Sequence, residues 1–139
     1  MVRTAANSHS SFQLRLDLRS GVPVYRQIID QVRAGVAAGA LKTGDQLSTV
    51  RQLAVDLTVN PNTVLRAYRE LELGGLLETQ QGTGTFITEK KVKQDEAERA
   101  RQLNQIVGEF LARAGAAGFT AKELLEQLRE HMSETAKRR

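Results

Sequence analysis

The sequence predicts a mainly α fold with a small β wing, followed by a two-helix C-terminal hairpin. Three observations carry that reading. Two short amphipathic helical patterns are separated only by Thr58, Val59 and Asn60, a strand–glycine turn–strand pattern follows the second of them, and two further apolar stripes at helical spacing lie beyond residue 90. Two helices joined by about three residues form a helix-turn-helix, and the strand pair makes it a winged one.

Each element has its own signal. Residues 1–11 are small and polar and read as a disordered leader. Phe12, Leu14, Leu16 and Leu18 alternate with Gln13, Arg15, Asp17 and Arg19, the period of a half-buried strand, which Ser20 and Gly21 end. The first helix opens near Pro23, whose fixed φ and missing N–H suit a first turn. Tyr25, Ile28, Ile29, Val32 and Val36 form one apolar stripe along it, Gly39 closes it, and residues 41–45 make a turn. In the short second helix Thr49 and Gln52 fit a capping box, and Val50, Leu53, Ala54 and Leu57 are the buried face. The third helix spans 60–73. It has Asn60 as N-cap, Pro61 at N1, Val59 and Val64 as a hydrophobic staple, and an inward stripe of Val64, Ala67, Tyr68 and Leu71. Gly74 or Gly75 ends it. Residues 76–80 and 85–88 read as the wing strands around Gln81, Gly82, Thr83 and Gly84.

Beyond a charged junction at 90–93, Leu103, Ile106, Val107, Phe110, Leu111 and Ala114 line one helix, and residues 115–118 break it. Thr120 and Glu123 form a second capping box, opening a helix with Leu124, Leu125, Leu128 and Met132. Two helices alone bury too little surface to be stable, so these stripes are expected to form a homodimer interface. They could instead pack on each other or on the first domain. The expected organisation is a leader at 1–11, a winged helix-turn-helix at 12–89, a helical dimerisation region at 90–136 and a basic tail at 137–139.

Composition bounds the function. The 139 residues carry a formal charge of +4, which permits nucleic-acid binding without establishing it. Residues 1–91 hold 11 basic against 8 acidic side chains, while 92–136 are net acidic, so the positive excess belongs to the first domain and the extreme tail. The absence of cysteine excludes disulfides, thiolate metal sites and thiol nucleophiles. The start has no apolar signal region and no window is long enough to span a membrane, which points to a cytoplasmic protein. His9 and His131 have no neighbours at metal-ligand spacing, and no Ser/His/Asp set, phosphate loop or paired carboxylates stand out. The chain therefore reads as neither an enzyme nor a cofactor protein.

The outer face of the third helix carries the functional expectation. Asn62, Arg66 and Arg69 sit at i, i+4 and i+7, away from the buried stripe. Asn can bond adenine and Arg can bond guanine in a major groove. Asn60, Asn62 and Thr63 place short polar groups beside free helix N–H groups, which suit phosphate. Arg51, two residues after the Thr49 cap, opposes the helix dipole, and either DNA or a salt bridge to Asp45 or Asp56 would explain it. In the wing, Gly82 and Gly84 permit close backbone approach, with Thr83 and Thr85 as hydroxyl donors to phosphate.

The stretch Pro23–Ile28, the run from Gly39 to Ala54, the segment Val59–Tyr68 and the wing residues 81–87 together resemble the N-terminal domain of GntR-family bacterial transcription regulators. The short C-terminal piece is similar to the YtrA-like subfamily of that family. The resemblance implies dimeric binding to a palindromic DNA operator and usually repression, in this subfamily often of transporter operons. By position it implies that Arg51, Thr63 and Gly82 fall on the family's DNA-contacting arginine, threonine and wing glycine. Where many members have Leu-Pro-Ser before the second helix, this chain has Leu47, Ser48 and Thr49. Pro61 stands where many have arginine, and Leu65 where they have a basic or amide residue. Direct readout would then fall to Asn60, Asn62 and Arg66. An effector is left open.

Overall fold

The structure is a computed structural model that describes residues 2–6, 12–88 and 95–137. These fall into two compact units, the second holding most of the C-terminal helices. The expected 89/90 domain boundary, the junction at 90–93 and Arg138 and Arg139 of the basic tail lie outside the described residues.

The first unit begins with two antiparallel strands, β1 (Val2–Ala6) and β2 (Gln13–Asp17), in register from Val2 opposite Asp17 to Ala6 opposite Gln13. Residues 2–6 are thus a strand where a disordered leader is expected. Backbone pairing with β2 makes it, and among its described side chains only Ala5 is buried, so no apolar alternation announces it. Leu14 and Leu16 point into the core as expected, but the strand ends at Asp17 and Leu18 turns out to solvent. The other edge of β2 is held by α1 (Val24–Ala38). The Gln31 amide both accepts from Arg15 N (2.8 Å) and donates to Arg15 O (2.7 Å). One turn earlier, Gln27 does the same at Asp17 (2.9 Å each way). Two glutamines at i, i+4 therefore stand in for a neighbouring strand.

A two-residue strand β3 (Gln46–Leu47) precedes α2 (Val50–Leu57), α3 (Pro61–Leu73) and the wing strands β4 (Leu77–Gln80) and β5 (Gly84–Ile87). The sheet runs β3-β5-β4, antiparallel throughout. The helix faces are those the periodicity gives. Ile28, Ile29 and Val32 of α1, Leu53, Ala54 and Leu57 of α2, and Val64, Ala67, Tyr68 and Leu71 of α3 are buried in one core with Leu41, Leu47, Leu77 and Ile87. Gly35 lies where a Cβ would stand 2.8 Å from the Phe12 ring, so α1 needs a glycine for the β2 end to close over it.

Three helices end in the same way. Val59 N donates to Ala54 O (3.0 Å), Leu76 N to Leu71 O (2.9 Å) and Phe119 N to Ala114 O (2.9 Å). Each such six-to-one bond needs a left-handed residue just before the donor. Gly75 (φ 81) supplies it after α3 and Gly118 (φ 87) after the helix Glu96–Ala116, but after α2 the residue is Thr58 at φ 55. A β-branched side chain in that region costs about 1–2 kcal/mol. Arg3 Nη1, carried on β1, donates to Thr58 O (2.6 Å) and Leu57 O (3.2 Å), a cation on the C-terminal carbonyls of α2. Thr58→Gly is accordingly expected to raise the unfolding free energy by about 1 kcal/mol in urea titration; a loss of stability would mean that Thr58 makes compensating contacts.

The second unit contains α4 (Glu96–Ala116) and α5 (Ala121–Lys137), the latter ending inside the expected basic tail. Asp95 caps α4, accepting from Ala97 N. The capping box at Thr120 is complete, with Glu123 N donating to Thr120 Oγ1 (3.2 Å) and Thr120 N donating to Glu123 Oε2 (2.7 Å). The break falls at 117–120 rather than 115–118, because Gly115 stays helical and Gly118 takes the left-handed turn. Ala114 is buried and Leu124 half-buried, whereas Leu103, Ile106, Val107, Phe110, Leu111, Leu125 and Leu128 are 41–62% exposed.

Candidate nucleic-acid interface

The two helices of the motif are fixed end to end by short polar contacts. Thr49 Oγ1 accepts from Gln52 N (3.1 Å), starting α2 as the sequence predicts. The reciprocal half of that capping box is absent, since the Gln52 amide donates instead to Asp56 Oδ1 (2.7 Å), one turn on. Asn60 Oδ1 accepts from Asn62 N (2.8 Å), and Pro61 occupies N1. The buried Tyr68 hydroxyl donates to Ser48 O (2.7 Å), tying the middle of α3 to the entry of α2. Burial pushes the Tyr68 hydroxyl well above the usual phenol range, so it stays protonated and keeps donating. Tyr68→Phe is expected to lower stability by about 1 kcal/mol in thermal or urea unfolding, and an unchanged midpoint would show the bond to be dispensable.

On this frame the outward residues sort into two groups. Asn62, exposed, and Thr63, half-exposed, stand at the N-terminal turn of α3 with Arg66 one turn on. Arg51 is exposed at the second position of α2 and pairs with no described acid: Asp56 Oδ1 takes the Gln52 amide, and Asp45 Oδ2 accepts from Lys42 N. Among the described residues no salt bridge joins Arg51 to Asp45 or Asp56. Arg66 does not stand free. Its guanidinium carbon lies 3.7 Å from the centroid of the Tyr25 ring on α1. Arg69 lies further along, lining an open groove with Glu72, Leu73, Leu77, Glu78 and Thr79, where Thr79 Oγ1 donates to a Glu72 carboxylate oxygen. Its surroundings are acidic and partly apolar, unlike those of the first group.

The wing tip is a tight turn, with Thr83 N donating to Gln80 O (3.0 Å) and Gly82 at φ 77 in the position that requires it. Gly82 and Thr83 are exposed. Thr85 is not: it is buried, 3.4 Å from the Thr79 hydroxyl, so its expected phosphate role is withdrawn. Gly84 has a structural reason of its own: its φ of 137° is one that L side chains rarely adopt, and a Cβ there would displace the Gln46 amide. Gln46 in turn donates to Thr83 O (3.2 Å), bracing the wing against β3. Sequence reasoning missed both Gln46, on a strand too short to show a period, and Tyr25, whose place in the α1 stripe reads only as core. Among the described residues no group of acidic and histidine side chains could hold a metal ion, and no helix is long and apolar enough to cross a membrane.

Residues 24–87, from the start of α1 through the wing, match the family described as bacterial regulatory proteins, gntR family. The HTH-type transcriptional repressor YtrA of Bacillus subtilis is 36% identical over 117 residues, which is 84% of this chain and 90% of that protein. The chain belongs to the GntR family. Among solved structures, YtrA from Sulfolobus acidocaldarius, a GntR-family transcription factor, is 34% identical over 71% of this chain and 97% of its own, with a TM-score of 0.53. A transcriptional antiterminator from Listeria monocytogenes is 28% identical over 86% of this chain and 90% of its own, with a TM-score of 0.61. The winged-helix fold and the short YtrA-like build are those the sequence predicts, and this GntR-family chain is a transcriptional regulator. Because the likeness covers 84% of this chain and 90% of the Bacillus subtilis protein, it extends beyond the winged helix.

Proposed function

We propose that the chain is a cytoplasmic, sequence-specific DNA-binding repressor that grips a palindromic operator as a homodimer, with α3 in the major groove. The observation that carries this reading is the face shared by Asn62, Thr63 and Arg66. All three leave the core side of α3 at a capped N-terminus, and Arg51, at the start of α2, has no acidic partner among the described residues. Free N–H groups at a helix start and unpaired cations suit phosphate, while Asn and Arg suit base edges. Gly82 and Thr83 at the wing tip would meet the adjacent backbone or minor groove. Arg69 would contribute at the margin, and Asn60 and Thr49 chiefly as caps. Repression is carried over from the name of the Bacillus subtilis relative.

The dimer reading rests on the stripe of Leu103, Ile106, Val107, Phe110, Leu111, Leu125 and Leu128, with Leu124 at its edge. So large an exposed apolar surface marks an interface on a lone chain. Two copies related by a twofold axis would place two α3 helices one helical turn apart on one side of the duplex. The direct test is affinity, by fluorescence anisotropy, for duplexes that the protein retains from a random pool. Affinity should fall linearly in log–log form with salt, by about 0.9 per phosphate contacted. A protein that retains no duplex at low salt is not this regulator.

A further inference from the structure

The stack of Arg66 on Tyr25 is unlike anything else on the α3 face. An exposed arginine ordinarily samples many rotamers and must give them up when it binds. Here one face of the guanidinium is covered by a ring 3.7 Å away, while the side chain as a whole remains exposed. The ring itself is anchored: Tyr25 sits in the first turn of α1, half-buried and packed against the hydrophobic core. Arg66 makes no hydrogen bond or ion pair with any described residue, so the whole in-plane fork of N–H donors is left for something else. A stack of this kind leaves the donors at the guanidinium rim directed away from the ring, in the geometry that meets two acceptors at once.

We infer that Tyr25 is a positioning residue for Arg66: the α1 ring holds the guanidinium so that its donor fork is presented to a base edge, and guanine, with its O6 and N7 pair, is the partner that fits. The inference rests on the proposed DNA-binding reading. It adds a residue from outside the helix-turn-helix to the readout, one that need not touch the operator base itself. Base choice by Arg66 then depends on an aromatic side chain two helices away in sequence.

A double-mutant cycle on the full chain tests this, using a duplex selected from a random pool by the wild-type protein and an unrelated duplex of equal length. Tyr25→Leu should weaken binding to the selected duplex by about two- to five-fold, the range of an exposed cation–π contact. It should leave the unrelated duplex nearly unchanged. Tyr25→Phe keeps the ring and should bind as wild type. In an Arg66→Ala background, Tyr25→Leu should cost nothing further. Equal losses with and without Arg66, or a Tyr25→Leu variant that binds as tightly as wild type or more tightly, would overturn the inference. Tyr25→Leu folding is checked by its unfolding midpoint, and if it is unstable Tyr25→Met replaces it in the same cycle. A wild-type protein that selects no duplex would instead sink the DNA-binding reading on which the inference stands.

Discussion

A chain ending at residue 90 is expected to be a folded monomer that binds a two-half-site operator about 10²–10⁴-fold more weakly than the full chain. The first unit should survive the cut because its core is its own. Leu16, Ile28, Ile29, Val32, Leu41, Leu53, Leu57, Val64 and Leu71 are nearly or wholly inaccessible and lie in the first unit. What the cut removes is the exposed stripe on α4 and α5, and with it the proposed tether between two recognition helices. Linking two binding modules raises avidity by about 10²–10⁴ through effective concentration, without any new contact. Sedimentation would report the mass and anisotropy the affinity. Phe110→Glu in the full chain gives the same test without deletion, since a charge in the middle of the stripe should block association while leaving the single chain unharmed. A truncated or Phe110→Glu protein that still runs as a dimer would move the interface elsewhere.

The second large effect is expected at the α3 face. Arg66→Ala should cost about 1–3 kcal/mol on a selected operator and much less on unrelated duplex, as loss of a bidentate base contact does. Equal losses on both would make Arg66 a phosphate contact. Thr63→Ala and Arg51→Ala should weaken both duplexes together, since phosphate contacts carry no sequence information, and Arg51→Ala should also flatten the salt dependence, because a cation displaces counterions and a neutral hydroxyl does not. Thr63→Ala and Arg51→Ala should leave the unfolding midpoint unchanged, because neither residue is buried and neither caps a helix, while Arg66→Ala should lower it only slightly, through loss of the contact with the Tyr25 ring. Unaltered operator affinity in all three would remove the site.

Most of the first unit is legible in the sequence because its helices bury one clean face each. All four residues of the predicted α3 stripe, Val64, Ala67, Tyr68 and Leu71, are buried, and the Asn60 cap and Pro61 fall where they should. What is not legible was built without a side-chain period. β1 is made by backbone pairing and by Arg3 reaching the end of α2, and β3 is two residues long. Gln27 and Gln31 look like polar residues on a helix and serve as a strand edge. Gln52 has an equally good partner one turn ahead in Asp56, and the local carboxylate wins over the return to the cap.

The proposed interface divides in the same way. Helical spacing is enough to put Asn62 and Arg66 on one side of α3. Spacing cannot show that Arg66 is stacked on a ring from α1, that Arg69 shares its groove with two glutamates, or that Thr85 is inside. Those are facts of tertiary packing. The C-terminal stripe is the reverse case: the periodicity is plain, the single chain leaves it exposed, and a second copy is its proposed partner.

Guanine-N7 methylation protection along a selected duplex bears most directly on whether α3 lies in a major groove. Two protected patches centred about one helical turn apart, each lost in Arg66→Ala, are the expected outcome. Unprotected major-groove guanines beneath a saturating protein, or protection that Arg66→Ala leaves intact, would contradict it.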